Sequence, residues 1–121
     1  MIVNNMLNYS PSLDSMFQAL GDPTRRVMVE RLSRGPATVS ALAQPLQMSL
    51  PAVMRHLQVL ESSGLVRSEK VGRVRTCQLE TSALRSAEGW LSRQRALWED
   101  RLDRLDALIL EQQAKERRPK R

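Results

Sequence analysis

Apolar residues along this chain return at helical spacing several times before the period changes. Leu13, Met16, Phe17 and Leu20 share one face of a helix that Ser10-Pro11-Ser12 can start and Gly21 ends. Asp22 then offers an N-cap, with Pro23 at the first helical position, where its missing N–H costs nothing. The helix this predicts runs to about Ser33 with Met28, Val29 and Leu32 inward, and Gly35-Pro36 stops it. Thr38 can cap a short third helix whose Val39, Leu42 and Ala43 face the interior, until Pro45 ends it.

A tight connection, Leu46-Gln47-Met48, leads to the stretch SLPAVMRHLQVLESSGLV, residues 49 to 66. Ser49 is its cap, and Pro51 lies in the first helical turn, where the absent donor is again tolerated. Val53, Leu57 and Leu60 fall together at i, i+4 and i+7, while Pro51, Arg55, Gln58 and Ser62 fall on the opposite side. Met54 and Glu61 flank one edge of the stripe, and Ala52, His56 and Val59 the other. Gly64 can supply the left-handed residue that ends the helix, and Leu65-Val66 begins a strand.

Residues 65 to 79 read as a hairpin, LVRSEK and RVRTCQL about a turn at Val71-Gly72, with Arg73 and Arg75 at or near its tip. From Thr81 a long helix is predicted to about Gln113, about 50 Å at 1.5 Å per residue. Its apolar line is Leu84, Ala87, Leu91, Trp98, Leu102, Leu105 and Ile109, with Trp90, Leu97 and Leu108 on a second flank. That surface is too large for a lone helix on a small body, and it asks for a partner.

Length and composition then narrow the picture. The chain of 121 residues suits one domain with a modest core. With Trp90, Trp98, Phe17 and Tyr9 as the only aromatics, that core rests on Leu, Val, Ala and Met. The expected organisation is a flexible N-terminus over residues 1–10, a domain over 11–113 and a basic flexible tail over 114–121. The net charge of +6 leans on the segment KERRPKR at the end, which carries five basic residues and one acidic residue. A basic tail alone is weak evidence of nucleic-acid binding. The single cysteine, Cys77, excludes an intramolecular disulfide and any CxxC motif. It is expected to be a semi-buried strand residue, with a redox-sensing thiol as the alternative. No apolar run reaches membrane-spanning length and no signal-peptide pattern opens the chain, so a cytoplasmic protein without a membrane partner is expected.

A short helix, a tight turn, a second helix and a strand pair follow one another in the order of a winged helix-turn-helix. The expected fold is therefore mainly α with a small β-hairpin wing. A helix fits the major groove of DNA, where base edges present readable donors and acceptors. Arg55 can reach a guanine edge or a phosphate, and Gln58 can address adenine. The helix starts at Thr38 and Ser49 offer N–H groups to phosphate, and Arg73 and Arg75 would sit beside the neighbouring minor groove or backbone. The expected DNA-binding set is Thr38, Ser40, Ser49, Pro51, Ala52, Met54, Arg55, His56, Gln58, Arg73 and Arg75. His56 flanks the apolar stripe and fits a structural histidine as well as a phosphate contact. Arg25 and Arg26 are read as supports of the second helix, with a contact to the DNA backbone as the alternative.

LDSMFQALGDPTRRVMVERL, followed by ATVSALAQPLQMSLPAVMRHLQVLESSGLVRSEKVGRVRTCQL, resembles the ArsR/SmtB family of bacterial transcriptional regulators. The likeness covers roughly residues 11 to 113. It is carried by Ala19-Leu20, Asp22-Pro23-Thr24-Arg25-Arg26, Ser49, His56-Leu57, Leu60, Gly64-Leu65-Val66 and the glycine-arginine hairpin tip. The resemblance implies a homodimer built on the first and last helices, binding a palindromic operator, usually as a repressor. The dimer residues expected are Leu13, Phe17, Leu84, Leu91, Trp98, Leu102 and Leu105. Many relatives sense metals through cysteines on the first helix of the motif, but here that segment, Thr38 to Gln44, has none. Others use His and acidic ligands on the last helix, which here lacks histidine. A lone His56 and a lone Cys77 in separate elements cannot make a tetrahedral N/S site, so neither metal nor cofactor is expected. Relatives often carry a small hydroxyl residue where Met54 stands, so base preference does not transfer.

Trp90 and Trp98 are read as dimer packing, with an apolar effector pocket along the seam as the alternative. The competing class of function is a winged-helix protein–protein interaction module without specific DNA binding. No His/Asp/Ser or Cys/His constellation and no Gly-rich phosphate loop supports an enzyme.

Overall fold

In the computed structural model, residues 11–117 are described, and side chains from Leu13 onward. The segments expected to be a flexible N-terminus (1–10) and the end of the basic tail (118–121) lie outside the described residues. The elements are α1 (Pro11–Leu20), α2 (Pro23–Leu32), β1 (Ala37–Thr38), α3 (Val39–Ala43), a 3-10 turn (Gln44–Leu46), α4 (Leu50–Ser62), β2 (Val66–Val71), β3 (Val74–Leu79) and α5 (Thr81–Arg117). Contacts divide the chain into two units, one ending at Ala87 and one beginning at Glu88.

The first unit closes around α4. Val53, Leu57 and Leu60 are fully buried among Met16, Met28 and Leu42 from the three preceding helices, with Leu65 and Cys77 below them. Leu13, Phe17, Leu20 and Leu84 are half-buried and pack against this core. Val29, expected inside, is also only half-buried.

The ends of α1 and α2 show why this part of the sequence is rich in charge. Asp22 is extended (φ −105°, ψ 130°), and its Oδ2 accepts the Arg25 N–H at 3.0 Å, which caps α2. The last carbonyls of α1 have no partner within their own helix. Arg25 Nε donates to the Ala19 carbonyl at 2.7 Å, and Arg26 Nη1 to that of Leu20 at 2.8 Å. Two cations therefore close the negative end of α1, a role that suits the helix dipole. At the other end of the motif, buried Ser63 donates from Oγ to the Leu60 carbonyl at 2.8 Å and accepts the Leu65 N–H at 3.3 Å. Gly64, at φ 84°, turns the chain from α4 into the sheet.

The sheet has three strands in the order β1-β3-β2, all antiparallel, where the sequence suggested a two-stranded hairpin. The added strand pairs Ala37 with Cys77 and Thr38 with Thr76. Two residues show no period, which is why the strand escaped the sequence pattern. The hairpin turn is Gly72-Arg73, one residue later than expected, with Val71 and Val74 as the closing pair. Gly72 has φ 64°, at the first turn position, where tight hairpins of the II′ kind want glycine. Cys77 is fully buried rather than semi-buried, because β1 covers the edge of β3 that a bare hairpin would leave open.

Helix α5 continues to Arg117, beyond the end expected near Gln113, and its length is about 55 Å. Lys115 and Arg117 occupy its last turn, where positive charge offsets the dipole. From Glu88 onward, Leu91, Trp98, Leu102, Leu105 and Ile109 are exposed. Ion pairs one turn apart, Arg95–Glu99 and Glu111–Lys115 at 3.8 Å each and Asp100–Arg104, run along the same helix. Among the described residues no helix is long and apolar enough to cross a membrane.

Leu57 is the middle of the buried stripe. Leu57→Ala should lower the stability of the fold by about 2–5 kcal/mol, read as a fall in urea midpoint at unchanged slope. A loss below about 1 kcal/mol would mean that the stripe does not anchor α4.

Candidate nucleic-acid interface

Two capped helix starts and a strand pair frame one side of the first unit. Thr38 Oγ1 accepts the Ala41 N–H at 3.1 Å at the head of α3, and Ser49 Oγ accepts the Ala52 N–H at 3.3 Å at the head of α4. Between them the chain reverses at Gln47, which takes the left-handed conformation (φ 52°, ψ 41°). Pro51 stands in the first turn of α4, where it removes a donor that had no helical partner.

Burial of Val53, Leu57 and Leu60 fixes the rotation of α4, so its opposite face is exposed. That face carries Leu50, Pro51, Met54, Arg55, Gln58 and Ser62. Among the described residues, Arg55 and Gln58 make no hydrogen bond or ion pair with the rest of the chain. The same is true of Lys70 and Arg73 in the wing. These four polar side chains are unpaired, whereas Arg25, Arg26, Arg31, Arg67 and Arg75 of the same unit have partners. A groove of about 510 Å³ joins the two parts, lined by Thr38, Val39, Ser40, Leu50, Met54, Lys70, Arg73, Val74 and Arg75.

Of the residues expected from sequence, Thr38, Ser40, Met54, Arg73 and Arg75 meet in this groove. Ser49, Pro51, Arg55 and Gln58 are exposed on α4, and Ala52 is half-buried with its amide held by Ser49. Gln58 also lines a separate shallow depression with Ser15, Gln18 and Arg25. His56 and Arg75 differ in kind from the others. His56 is half-buried, with Nδ1 at 3.2 Å from Arg25 Nη1 and 3.8 Å from Asp22 Oδ2. A guanidinium has only protons to give, so Nδ1 accepts and the ring proton belongs on Nε2. At 3.8 Å the carboxylate is too far for a direct hydrogen bond, and the guanidinium contact sets the ring. His56 therefore ties α4 to α2 on this side. Arg75 Nη1 donates to Ser68 Oγ at 3.0 Å and lies 3.8 Å from Glu61 Oε1, while Ser68 also hydrogen-bonds Glu61. Its guanidinium holds the wing to α4 instead of standing free at the tip.

Leu50, Lys70 and Val74 belong to the groove but escaped the sequence reading. The alternation along Ser68-Glu69-Lys70 pointed to a strand without saying which side faced α4. Leu50 and Val74 are apolar, and an apolar residue gives no local sign that it faces a groove and not a core.

Two titrating groups are shifted. The Arg25 backbone N–H holds the Asp22 carboxyl below its ordinary 3.8 against the opposing effect of desolvation, helped by the Arg25 guanidinium and the Thr24 N–H. Burial pushes the Cys77 thiol above its ordinary 9.0; the Glu61 charge adds to this and Arg75 opposes it. A buried thiol held protonated is a poor nucleophile, which disfavours redox sensing at Cys77. Among the described residues, no three His, Cys, Asp or Glu side chains gather where an ion could bind.

Comparison with known proteins finds a helix-turn-helix domain over residues 20–69, the span from the end of α1 to the middle of β2. The HTH-type transcriptional regulator Rv2034 of Mycobacterium tuberculosis is 47% identical over 73 residues, covering 60% of this chain and 68% of that protein. The transcriptional repressor SdpR of Bacillus subtilis is 27% identical over 79 residues, 65% of this chain and 88% of its own length. Among solved structures, the ArsR family transcriptional regulator RHA00566 superposes with a TM-score of 0.70 at 55% identity, over 73% of this chain and 97% of that one.

A carboxyl whose folded pKa is depressed stabilises the fold above its unfolded value and loses that contribution as pH falls through the folded one. Asp22→Asn should therefore destabilise the protein at neutral pH, with the gap to the parent closing as pH drops below 3.8. Urea midpoints of both proteins across that range test this, and a gap independent of pH would show that the carboxylate charge is not what caps α2.

Proposed function

The chain belongs to the ArsR family of transcriptional regulators, a DNA-binding class, and from that premise we propose how its residues do the work. Helix α4 enters the major groove, with Arg55 and Gln58 addressing base edges and Ser49 at the phosphate backbone. Lys70 and Arg73 of the wing hold the adjacent backbone, and Thr38 and Ser40 approach it from the head of α3. The observation that carries this reading is the outward pair Arg55 and Gln58, exposed and without partners inside the described chain. Arg and Gln are the side chains that match guanine and adenine edges in two-point contacts. His56 and Arg75 act behind them as positioning residues.

Residues 11–113 carry both DNA binding and dimerisation in this proposal. The exposed line Leu91, Trp98, Leu102, Leu105 and Ile109 of the second unit is a face for a second copy, and Leu13, Phe17 and Leu84 of the first unit also contribute to the dimer. Two copies would place two α4 helices in successive major grooves about 34 Å apart, which asks for a palindromic operator. Occupying such an operator in the cytoplasm makes the protein a repressor, the role that the name of SdpR gives to that relative. Control does not run through the familiar metal ligands, since residues 38–44 offer no thiolate and residues 81–117 no imidazole.

Arg55→Ala should weaken binding to a selected operator roughly 5- to 150-fold while leaving the oligomeric state unchanged. Unaltered affinity at physiological salt would remove α4 from the groove. For the second face, Leu91→Glu combined with Leu105→Glu should give monomers in sedimentation, and an intact dimer would refute it.

A further inference from the structure

We propose that Leu50 and Met54, with Val74 of the wing, form an apolar wall that reads thymine methyl groups in the operator. The inference rests on the α4 interface proposed above and names part of what that interface recognises. Leu50 is 54% exposed, Met54 37% and Val74 52%, and the other exposed valines of this unit, Val27, Val59 and Val71, lie outside the groove that these three line. All three line the same groove as Thr38, Ser40, Lys70 and Arg73. Leu50 and Met54 stand one helical turn apart at the N-terminal end of α4, so they lie one above the other on the same face. In helix-turn-helix proteins that end of the recognition helix is the one in contact with base edges.

The chemistry of the wall selects its occupant. Leucine and valine offer no hydrogen bond, and a thioether is only a weak acceptor. Against such a surface the polar edges of guanine, cytosine and adenine would lose water without gaining a partner. Thymine alone presents a methyl group to the major groove. The rim excludes an apolar peptide as the natural guest, because Lys70 and Arg73 are cations without partners among the described residues and call for a polyanion. Leu50 and Met54 thus supply what Arg55 and Gln58 lack, a preference for thymine beside contacts suited to guanine and adenine.

Uracil pairs as thymine does and lacks only the methyl, so it isolates the effect without changing the protein. An operator selected by the full chain from a random pool would be remade with deoxyuridine at one thymine at a time. The expected result is a loss of about 4-fold per contacted methyl at one or two positions in each half-site. Leu50→Ala or Met54→Ala should then abolish the distinction at the thymine that each side chain faces. Neither residue belongs to the buried core, so these variants should fold, and the uracil series on the parent protein stands without them. If binding is specific and depends on Arg55 but every uracil operator binds as tightly as its thymine form, the wall is refuted and the interface survives. A methyl effect undiminished in both variants also refutes it. If no DNA sequence is selected and Arg55→Ala changes nothing, the interface itself falls and the wall with it.

Discussion

Everything on the outer side of the first unit follows from the burial of one stripe. A thirteen-residue helix can bury only one face well, and Val53, Leu57 and Leu60 give up nearly all their exposure to the core. Each side chain withdrawn in this way contributes on the order of 1.5–3 kcal/mol, enough to fix the helix about its axis. The opposite face is then determined without further interactions. Arg55 and Gln58 need no partners to be held outward, which leaves their polar groups free for another molecule. The side of α4 facing α2 is trimmed by a second device, in which Arg25 joins the end of α1 to the His56 ring.

This division explains what was legible in the sequence and what was not. The spacing of Val53, Leu57 and Leu60 is local, and so are the caps at Asp22, Thr38 and Ser49; all of them appear in the structure as expected. Events between distant residues were not legible. Arg75 looked like a free cation because it stood near a hairpin tip, and nothing local showed that Glu61 and Ser68 would engage it. His56 fits two roles by its position in the sequence, and only the fold brings Arg25 beside it. The strand β1 could not be read at all, since its two residues form a strand only because β3 runs alongside. The reach of α5 to Arg117 is not legible because its last turns are polar and carry no apolar period. They are exposed polar helix, with acid and base one turn apart.

Charge gives a similar lesson on a larger scale. The overall balance of +6 is dominated by the chain end, yet that count says little about where an anion would sit. In the first unit Arg25, Arg26, Arg31, Arg67 and Arg75 are committed to carbonyls or carboxylates. Arg34, Arg55, Lys70, Arg73 and Arg85 remain, and Arg55, Lys70 and Arg73 among them lie on the α4 face and the wing. Three unpaired cations on neighbouring faces favour the proposed interface in a way that the net charge does not.

The two-residue strand β1 has a mechanical consequence. Thr38 caps α3 with its side chain while its backbone pairs with Thr76 in the sheet, so one residue belongs to both parts of the motif. The ion pair between Glu61 and Arg75 adds a second tie between sheet and helix. With its wing fastened at both points, the protein has little loop entropy left to lose when it docks. A stiff reader cannot mould itself to its site. On the proposed docking the adjustment would fall to the DNA, whose local stiffness would then enter the recognition code at base pairs that no side chain touches.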